Sequence, residues 1–254
     1  MIPESYNTQI KKAAGLIQSA RYEVACTGAG ISTPSGIPDF RSARTGLWEK
    51  DDPMQVASLT SFLHTPERFF NWLRPLAHTS LSASPNPAHL ALAELEKAGF
   101  LKAVITQNID DLHIQAGSHN VLELHGSLRT LSCTGCHRSF SARDFMPAFI
   151  NSGTLPFCPE CRSMLKPDIV LFEESLPATT WYQAEVHART ADLMIVAGSS
   201  LTVTPAAYIP QEAVESGAQI IIINQTPTYL DEIAAILLPL DVAEVLPAIT
   251  KFLH

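Results

Sequence analysis

Four of the five cysteines stand in two C-x-x-C pairs, Cys133-Thr134-Gly135-Cys136 and Cys158-Pro159-Glu160-Cys161, with 21 residues between the pairs. Two such pairs can present four thiolates tetrahedrally to zinc, and four sulfur ligands leave no open position, so the metal they would hold is structural. Redox-active dithiols are the competing chemistry, which the paired ribbon spacing disfavours. The metal would hold together residues 128–165, a segment too small for a core of its own. Cys26, the fifth, continues an apolar run and reads as a core residue, with a catalytic thiol as the alternative.

A second group of residues could bind a nucleotide. The stretch CTGAGISTPSGIPDFR, residues 26–41, follows an apolar run and opens with Gly28-Ala29-Gly30, where backbone amides could approach a phosphate closely. The usual dinucleotide fingerprint has a third glycine where this chain has Thr33, and an acid about 20 residues further on at the end of a second strand. Glu49, Asp51 and Asp52 lie near that distance, but no strand-like run precedes them. Pro34, Gly36 and Pro38 keep the chain out of a regular helix, and Asp39, Phe40 and Arg41 then place an acid, a ring and a permanent cation side by side. Such a loop either closes over a ligand or carries an ordinary surface ion pair.

Further polar residues follow apolar runs. Leu101–Thr106 delivers Gln107-Asn108-Ile109-Asp110-Asp111, and residues 121–124 deliver His125-Gly126. The carboxyl end of a strand is where an open parallel sheet places ligand groups. Asn108 also suits the cap of a following helix, with the acids favouring its positive end. His125 reads either as a structural histidine or as a group suited to proton transfer near neutrality. Residues 193–197 end in Gly198-Ser199-Ser200, a second small-residue turn, and residues 220–223 end at Asn224.

These residues need a scaffold. Ile10, Ala13, Ala14 and Ile17 recur at helical spacing over 8–19, and further helices are expected over 88–98, 179–190 and 205–216. Within 88–98 the apolar positions are Leu90, Leu92 and Leu95, with Gly99 as the stop. Strands are expected near 22–26, 101–106, 121–124, 168–172, 193–197 and 220–223. Their alternation with helices predicts a doubly wound parallel sheet covered on both faces. Residues 54–77 carry Phe62, Leu63, Phe69, Phe70, Trp72 and Leu73, read as the packing face of a small helical lobe or as the lining for an apolar substrate group. A nucleotide laid across the strand ends would account for Gly28, Gln107, His125, Gly198 and Asn224 together.

Composition narrows the classes. Twenty-five acids against 17 bases give a net charge of -8 over 254 residues, with no block of either sign, which argues against a nucleic-acid footprint. The polar first residues carry no signal-peptide pattern and no apolar run reaches spanning length, so membrane binding is not indicated and a soluble, cytoplasmic protein is expected.

Taken in order, GAGISTPSGIPDFR, TQNID, the HG of LELHG, the two C-x-x-C pairs, MIVAGSSLTVTPA and IIIN resemble the sirtuins, the NAD-dependent protein lysine deacylases, and look closest to the bacterial and archaeal members. The resemblance implies a Rossmann-like large domain over about 8–41, 86–127 and 167–254. It also implies a small domain made of the helical insertion 42–85 and the zinc ribbon 128–166, with NAD and an acyl-lysine peptide meeting between the two. Carried over, Gly28, Ala29, Gly30, Thr33, Asp39, Phe40 and Arg41 belong to the cofactor loop. Gln107, Asn108, Ile109 and Asp110 line the nicotinamide and ribose pocket, with Asp110 on the carboxamide. Gly198, Ser199, Asn224 and Val242 cradle the adenosine half, while Val170, Phe172, Glu173 and Glu174 meet the peptide. In the implied reaction the acyl oxygen attacks the ribose carbon as nicotinamide leaves. His125, as general base, then takes a proton from the ribose hydroxyls, and lysine and O-acyl-ADP-ribose are released.

Two positions depart from the family pattern. Phe172-Glu173-Glu174 stands where the family usually has Phe-Gly-Glu, in a segment that pairs with the peptide as an added strand. Ser42 stands where many members have glycine. The lobe has no Tyr-x-x-Arg pair for an acyl carboxylate, although Arg68 and Arg74 lie in it, so a neutral acyl group, acetyl or longer, is expected. The alternative is an NAD glycohydrolase or ADP-ribosyltransferase acting without peptide, to which Glu173 lends weight. A non-catalytic NAD-binding module is disfavoured by the presence of Asn108, Asp110 and His125.

Overall fold

A computed structural model describes residues 2–39, 46–49 and 51–253. Helix α1 (Asn7–Ser19) buries Ile10, Ala13, Ala14 and Ile17, the four residues at helical spacing, and leads into β1 (Glu23–Thr27), all of whose residues are buried. After three 3₁₀ turns among the described residues the chain forms a lobe of α2 (Pro53–Val56), α3 (Leu59–His64) and α4 (Pro66–Ser82). Helix α5 (Pro87–Lys97) starts where the Asn86 side chain accepts from the Ala88 amide and stops before Gly99, whose φ of +85° no side chain favours. Next come β2 (Leu101–Thr106), α6 (Leu112–Gln115) and β3 (Val121–Glu123). A second group holds β4 (Gly126–Cys133), β5 (Ser139–Ser141), α7 (Met146–Ser152) and β6 (Leu165–Ile169). The chain closes with α8 (Ala178–Thr190), β7 (Leu193–Ala197), α9 (Tyr208–Glu215), β8 (Gln219–Ile223), β9 (Ile236–Leu238) and α10 (Val242–Thr250).

Six parallel strands lie in the order β3-β2-β1-β7-β8-β9. Helices α1, α5 and α10 pack one face through Ile17, Leu92 and Leu246, and α8 and α9 pack the other through Ala184 and Ile209. The order reverses between β1 and β7, and the carboxyl ends of those two strands form the crevice where such sheets take their ligands. A separate antiparallel sheet, β5-β4-β6, packs against the lobe in a third core. That core joins Phe62, Phe69, Phe70 and Leu73 to Leu131, Phe149 and Leu165. Each such side chain withdrawn from water contributes about 1.5–3 kcal/mol.

Several expectations need correction. Residues 168–172 do not return to the parallel sheet, because Pro167 and Ile169 pair with β4, and beyond them Phe172 makes only an isolated bridge to Ser58. Leu63 and Leu90 are 57% and 52% exposed, so each stands on the outer side of its helix. Helix α9 begins at Tyr208, three residues after a cis Thr204-Pro205 bond. Strand β9 and helix α10 were not anticipated. No helix among the described residues is long and apolar enough to cross a membrane.

Candidate functional site

One cavity of about 1190 Å³ opens along the carboxyl ends of β1, β2 and β7 and extends beneath the lobe. Its volume exceeds the range of about 300–1,000 Å³ that encloses a drug-sized ligand, which leaves room for a dinucleotide and a second reactant. Among its lining residues are Gly28, Ala29, Gly30, Thr33 and Asp39 from the first turn, Gln107, Asn108, Ile109 and Asp110 after β2, and His125 after β3. Gly198 and Ser199 after β7, Asn224 after β8, and Val242 at the start of α10 close the other side. Phe40 and Arg41 lie outside the described residues.

The two small-residue turns interlock. The Gly30 amide donates to the Gly198 carbonyl at 2.8 Å, and the Gly28 amide to the Ala197 carbonyl at 3.4 Å. A Cβ on Gly30 would stand 2.7 Å from the Gly198 carbonyl oxygen, and one on Gly198, whose φ is +62°, would stand 2.2 Å from the Ile31 nitrogen. These glycines therefore let β1 and β7 end in contact, and the amides of Gly28 and Gly30 are committed to the protein itself. Of the three successive amides in Gly28-Ala29-Gly30, two therefore face the protein and form a close-packed floor.

Behind Asp110 lies a buried polar chain whose protons can be assigned. The Asn86 amide donates to His89 Nδ1 at 3.3 Å, so the His89 proton sits on Nε2, which is 3.4 Å from Ser32 Oγ. Ser32 Oγ also accepts from Asn108 Nδ2 at 3.0 Å and donates to Asp110 Oδ2 at 2.6 Å. Asn108 Nδ2 reaches the Gly28 carbonyl at 3.2 Å as well. Its amide nitrogen is thus held by the protein, and the side-chain carbonyl is its remaining polar group. Asn108 is consequently not the cap of α6; Asp110 Oδ1 accepts from the Leu112 amide at 3.0 Å instead. Burial holds His89 neutral, down to about 4, and burial with His89 nearby holds His113 down to about 3. Burial also raises the Asp110 carboxyl, and the Ser32 and Leu112 bonds oppose that shift.

His125 Nδ1 lies 3.0 Å from the Gln107 carbonyl, which can only accept, so the Nδ1 proton is fixed there and Nε2 carries the ring's lone pair. The backbone of His125 is anchored too, its carbonyl accepting from the Val170 amide at 2.8 Å. Gly126 is required next to it, because a Cβ there would stand 2.0 Å from the Asp168 carbonyl oxygen where β6 crosses.

Under the lobe the cavity wall is aromatic. Trp48 stacks on Trp72 with centroids 5.6 Å apart and meets Phe172 edge-on at 6.1 Å. Val170, Phe172, Glu173 and Glu174 continue this wall, and no lysine or arginine among the described residues lines the cavity. Arg74 donates to the Ile150 and Asn151 carbonyls, and Arg68 bonds Gln55, so both lobe arginines are engaged elsewhere. The Phe172 amide donates to the Ala57 carbonyl and the Phe172 carbonyl accepts from the Leu59 amide, each at 3.0 Å. Glu173 has a φ of +75°, and its carboxylate accepts from the Thr60 amide at 2.8 Å. That amide is the principal cause holding the carboxyl below its usual range. Glu174 pairs with Lys166 at 2.8 Å.

The four cysteines meet as their spacing predicts. Their Sγ atoms all lie within 4.8 Å of one another, with Cys133 and Cys161 3.3 Å apart and Cys136 and Cys158 3.7 Å apart. A disulfide needs about 2.05 Å, whereas tetrahedral thiolates around zinc at about 2.3 Å stand about 3.8 Å from each other. The amides of Gly135 and Cys136 point at Cys133 Sγ, each at 3.4 Å, as donors to a thiolate would. The donor set therefore fits zinc.

Sequence reasoning passed over Ser32, His89 and His113, whose side chains form the support behind Asp110. A serine in a small-residue turn and histidines on helices carry no pattern that separates them from ordinary surface residues. Trp72, read from sequence as lobe packing or as the lining for an apolar substrate group, lines the cavity together with Trp48 and Leu76, which had been given no role.

A model of the Sir2 family matches residues 28–205. The NAD-dependent protein deacylase 2 of Archaeoglobus fulgidus is 46% identical over 244 residues, 96% of this chain and 95% of that protein. A solved Sir2 structure with a deacetylated p53 peptide and 3'-O-acetyl ADP ribose superposes with a TM-score of 0.90 at 40% identity, covering 95% of this chain and 97% of that one. A second, with a p53 peptide and NAD+, gives a TM-score of 0.87 at 39% identity, again over 95% and 97%.

Proposed function

The chain belongs to the Sir2 family, and from that premise we propose that it removes acyl groups from protein lysine side chains with consumption of NAD. The single observation that carries the reading is the shared cavity. It joins the crevice between β1 and β7, the groups after β2 and β3, and the aromatic wall under the lobe. NAD, when bound, supplies a ribose carbon that becomes electrophilic as nicotinamide departs.

In this reading Asp110 and the Asn108 carbonyl hold and orient the nicotinamide end, and the buried Ser32–His89 chain keeps Asp110 aimed. Gln107 fixes His125 in the tautomer with a basic Nε2, which would accept a proton from the ribose hydroxyl as general base. Gly28, Ala29, Gly30, Thr33, Asp39, Gln107, Ile109, Gly198, Ser199, Asn224 and Val242 shape the dinucleotide cleft, and Val170, Phe172, Glu173 and Glu174 receive the peptide. Trp48 and Trp72 exclude water from the acyl-lysine arm. Neutral acyl groups suit a wall without lysine or arginine among its described residues. Cys133, Cys136, Cys158 and Cys161 hold one structural zinc, and four reduced thiolates support a cytoplasmic site of action. The reading divides the chain into a large unit, 8–41, 86–127 and 167–254, and a small one, 42–85 and 128–166.

The test is nicotinamide release from NAD with and without an acetyl-lysine peptide, products being identified by mass. Release that requires peptide and yields O-acetyl-ADP-ribose is expected. Release indifferent to peptide, with free ADP-ribose as product, would move the assignment to a glycohydrolase or ADP-ribosyltransferase.

Glu173 gives a second expectation. Its carboxylate ties the peptide-receiving segment to the first turn of α3 while its backbone sits where only glycine is at ease. Glu173→Gly and Glu173→Ala both lose the tie, and both should raise the peptide KM more than the NAD KM. Only alanine keeps the left-handed strain, so Glu173→Ala should melt about 2–4 °C below Glu173→Gly. Equal melting temperatures would show that the backbone at 173 relaxes once the carboxylate is gone.

A further inference from the structure

We propose that Arg129 is a positioning residue for Asp110, acting through Asp111 and Glu123. The proposal rests on the reading that Asp110 meets the nicotinamide end of NAD. Arg129 lies on β4, four residues beyond His125, and its guanidinium turns back to the parallel sheet. It grips Glu123 of β3 at 2.9 Å and 2.5 Å, one oxygen to each terminal nitrogen, and it also bonds Asp111.

Asp111 has a φ of +68° and stands at the N-cap position of α6, where its side chain makes no cap bond. An aspartate in that position ordinarily turns its carboxylate onto the helix amides. Here Arg129 takes the Asp111 carboxylate, and the Leu112 amide goes to Asp110 instead. The ion pair thus selects the turn in which the first of two adjacent acids points inward and the second outward.

Charge balance points the same way. Three acids lie together: Asp111 raises the proton affinity of Asp110, Asp111 and Asp110 raise that of Glu123, and Arg129 contacts Asp111 and Glu123. The other groups around Asp110 are Ser32, a neutral hydroxyl, and the imidazoles of His89 and His113, which burial keeps uncharged. None of these offsets the charge of Asp111. Without Arg129 the two partly buried acids repel Asp110 and favour its protonated form, which cannot accept from a carboxamide N–H through both oxygens. Because Arg129 is itself 40% exposed, the effect is screened. A displacement of about one pK unit, at the low end for a neighbouring charge, is the expectation.

The experiment is calorimetric NAD binding to the zinc-loaded protein from pH 6 to 8.5, in two buffers of different ionisation heat, without peptide. Arg129→Gln should weaken binding progressively as the pH falls, with about tenfold as the limit that one pK unit sets, converge on the parent at pH 8.5, and add proton release to the binding reaction. Arg129→Lys should lie between the two. The double variant R129Q/D111N, which removes the uncompensated charge adjacent to Asp110 and leaves that of Glu123, should recover part of the loss. Melting curves at each pH separate misfolding from altered binding. Weakening that is equal at every pH, or that D111N leaves unrepaired, would overturn the proposal. Asp110→Ala serves as the control on the underlying reading. If it binds NAD as the parent does, the assignment of Asp110 fails and this proposal falls with it; if it loses binding while Arg129→Gln does not, only the role of Arg129 fails.

Discussion

Replacement of His125 by alanine should lower peptide deacylation by about 10²–10⁴-fold while changing NAD affinity only a few-fold. The range is what a positioned general base contributes. The asymmetry follows from how the ring is held. Nδ1 faces the Gln107 carbonyl at 3.0 Å, so the imidazole is tied to the strand-end backbone and presents Nε2 as its base. The backbone that shapes this corner depends on other groups, the His125 carbonyl accepting from Val170 and the Gly126 φ of +72° allowing β6 to cross. Alanine keeps both. In the proposed reaction nicotinamide would leave before the proton transfer, so exchange of labelled nicotinamide into NAD should persist in the variant when acyl-peptide is present, although O-acyl-ADP-ribose does not accumulate. Parallel loss of exchange and product would mean that the ring builds the pocket instead of moving a proton.

The strand ends were legible because short apolar runs in a sheet covered on both faces have one reading, and the polar residue after each run falls at the carboxyl edge. That logic found Gln107, His125, Gly198 and Asn224 and failed at 168–172. There an equally apolar run follows the ribbon, but Pro167 and Ile169 pair with β4, so the segment belongs to the antiparallel sheet. Local hydrophobicity says that a strand is buried, not which sheet it joins. Helix α10 was overlooked although Val242, Val245, Leu246 and Ile249 stand at helical spacing, because Pro247 interrupts the pattern. The cysteine ligands were readable from spacing alone, since metal geometry constrains four side chains at once. The support behind Asp110 was not, because Ser32, His89 and His113 come from three separate elements and meet only after folding. The sequence showed the smallness of the glycines but not its second use, which is that two turns pack through Gly30 and Gly198.

Removing the zinc should separate the two halves of the site. Cys133 and Cys158 are 1% and 0% exposed and belong to the same core as Phe69, Phe70, Leu73 and Phe149. Residues 128–165 are fewer than the roughly 40 below which a chain ordinarily needs a staple to fold. Four thiols within 4.8 Å of one another repel or crowd once the ion is gone, and the metal's binding energy is in that setting folding energy. Cys136→Ser, or exhaustive chelation of the parent, should therefore open this core to protease and abolish peptide-dependent activity by at least about 10²-fold. The cores on the two faces of the parallel sheet contain none of the four ligands. Far-ultraviolet dichroism should accordingly keep most of its helical signal, and NAD should still bind, more weakly, to the crevice between β1 and β7. Zinc content, limited proteolysis and calorimetric NAD binding read these three consequences separately. Full activity in a zinc-free protein would show that the lobe alone holds the peptide wall in place. Loss of NAD binding together with the parallel-sheet signal would show that the two sheets fold as one cooperative unit.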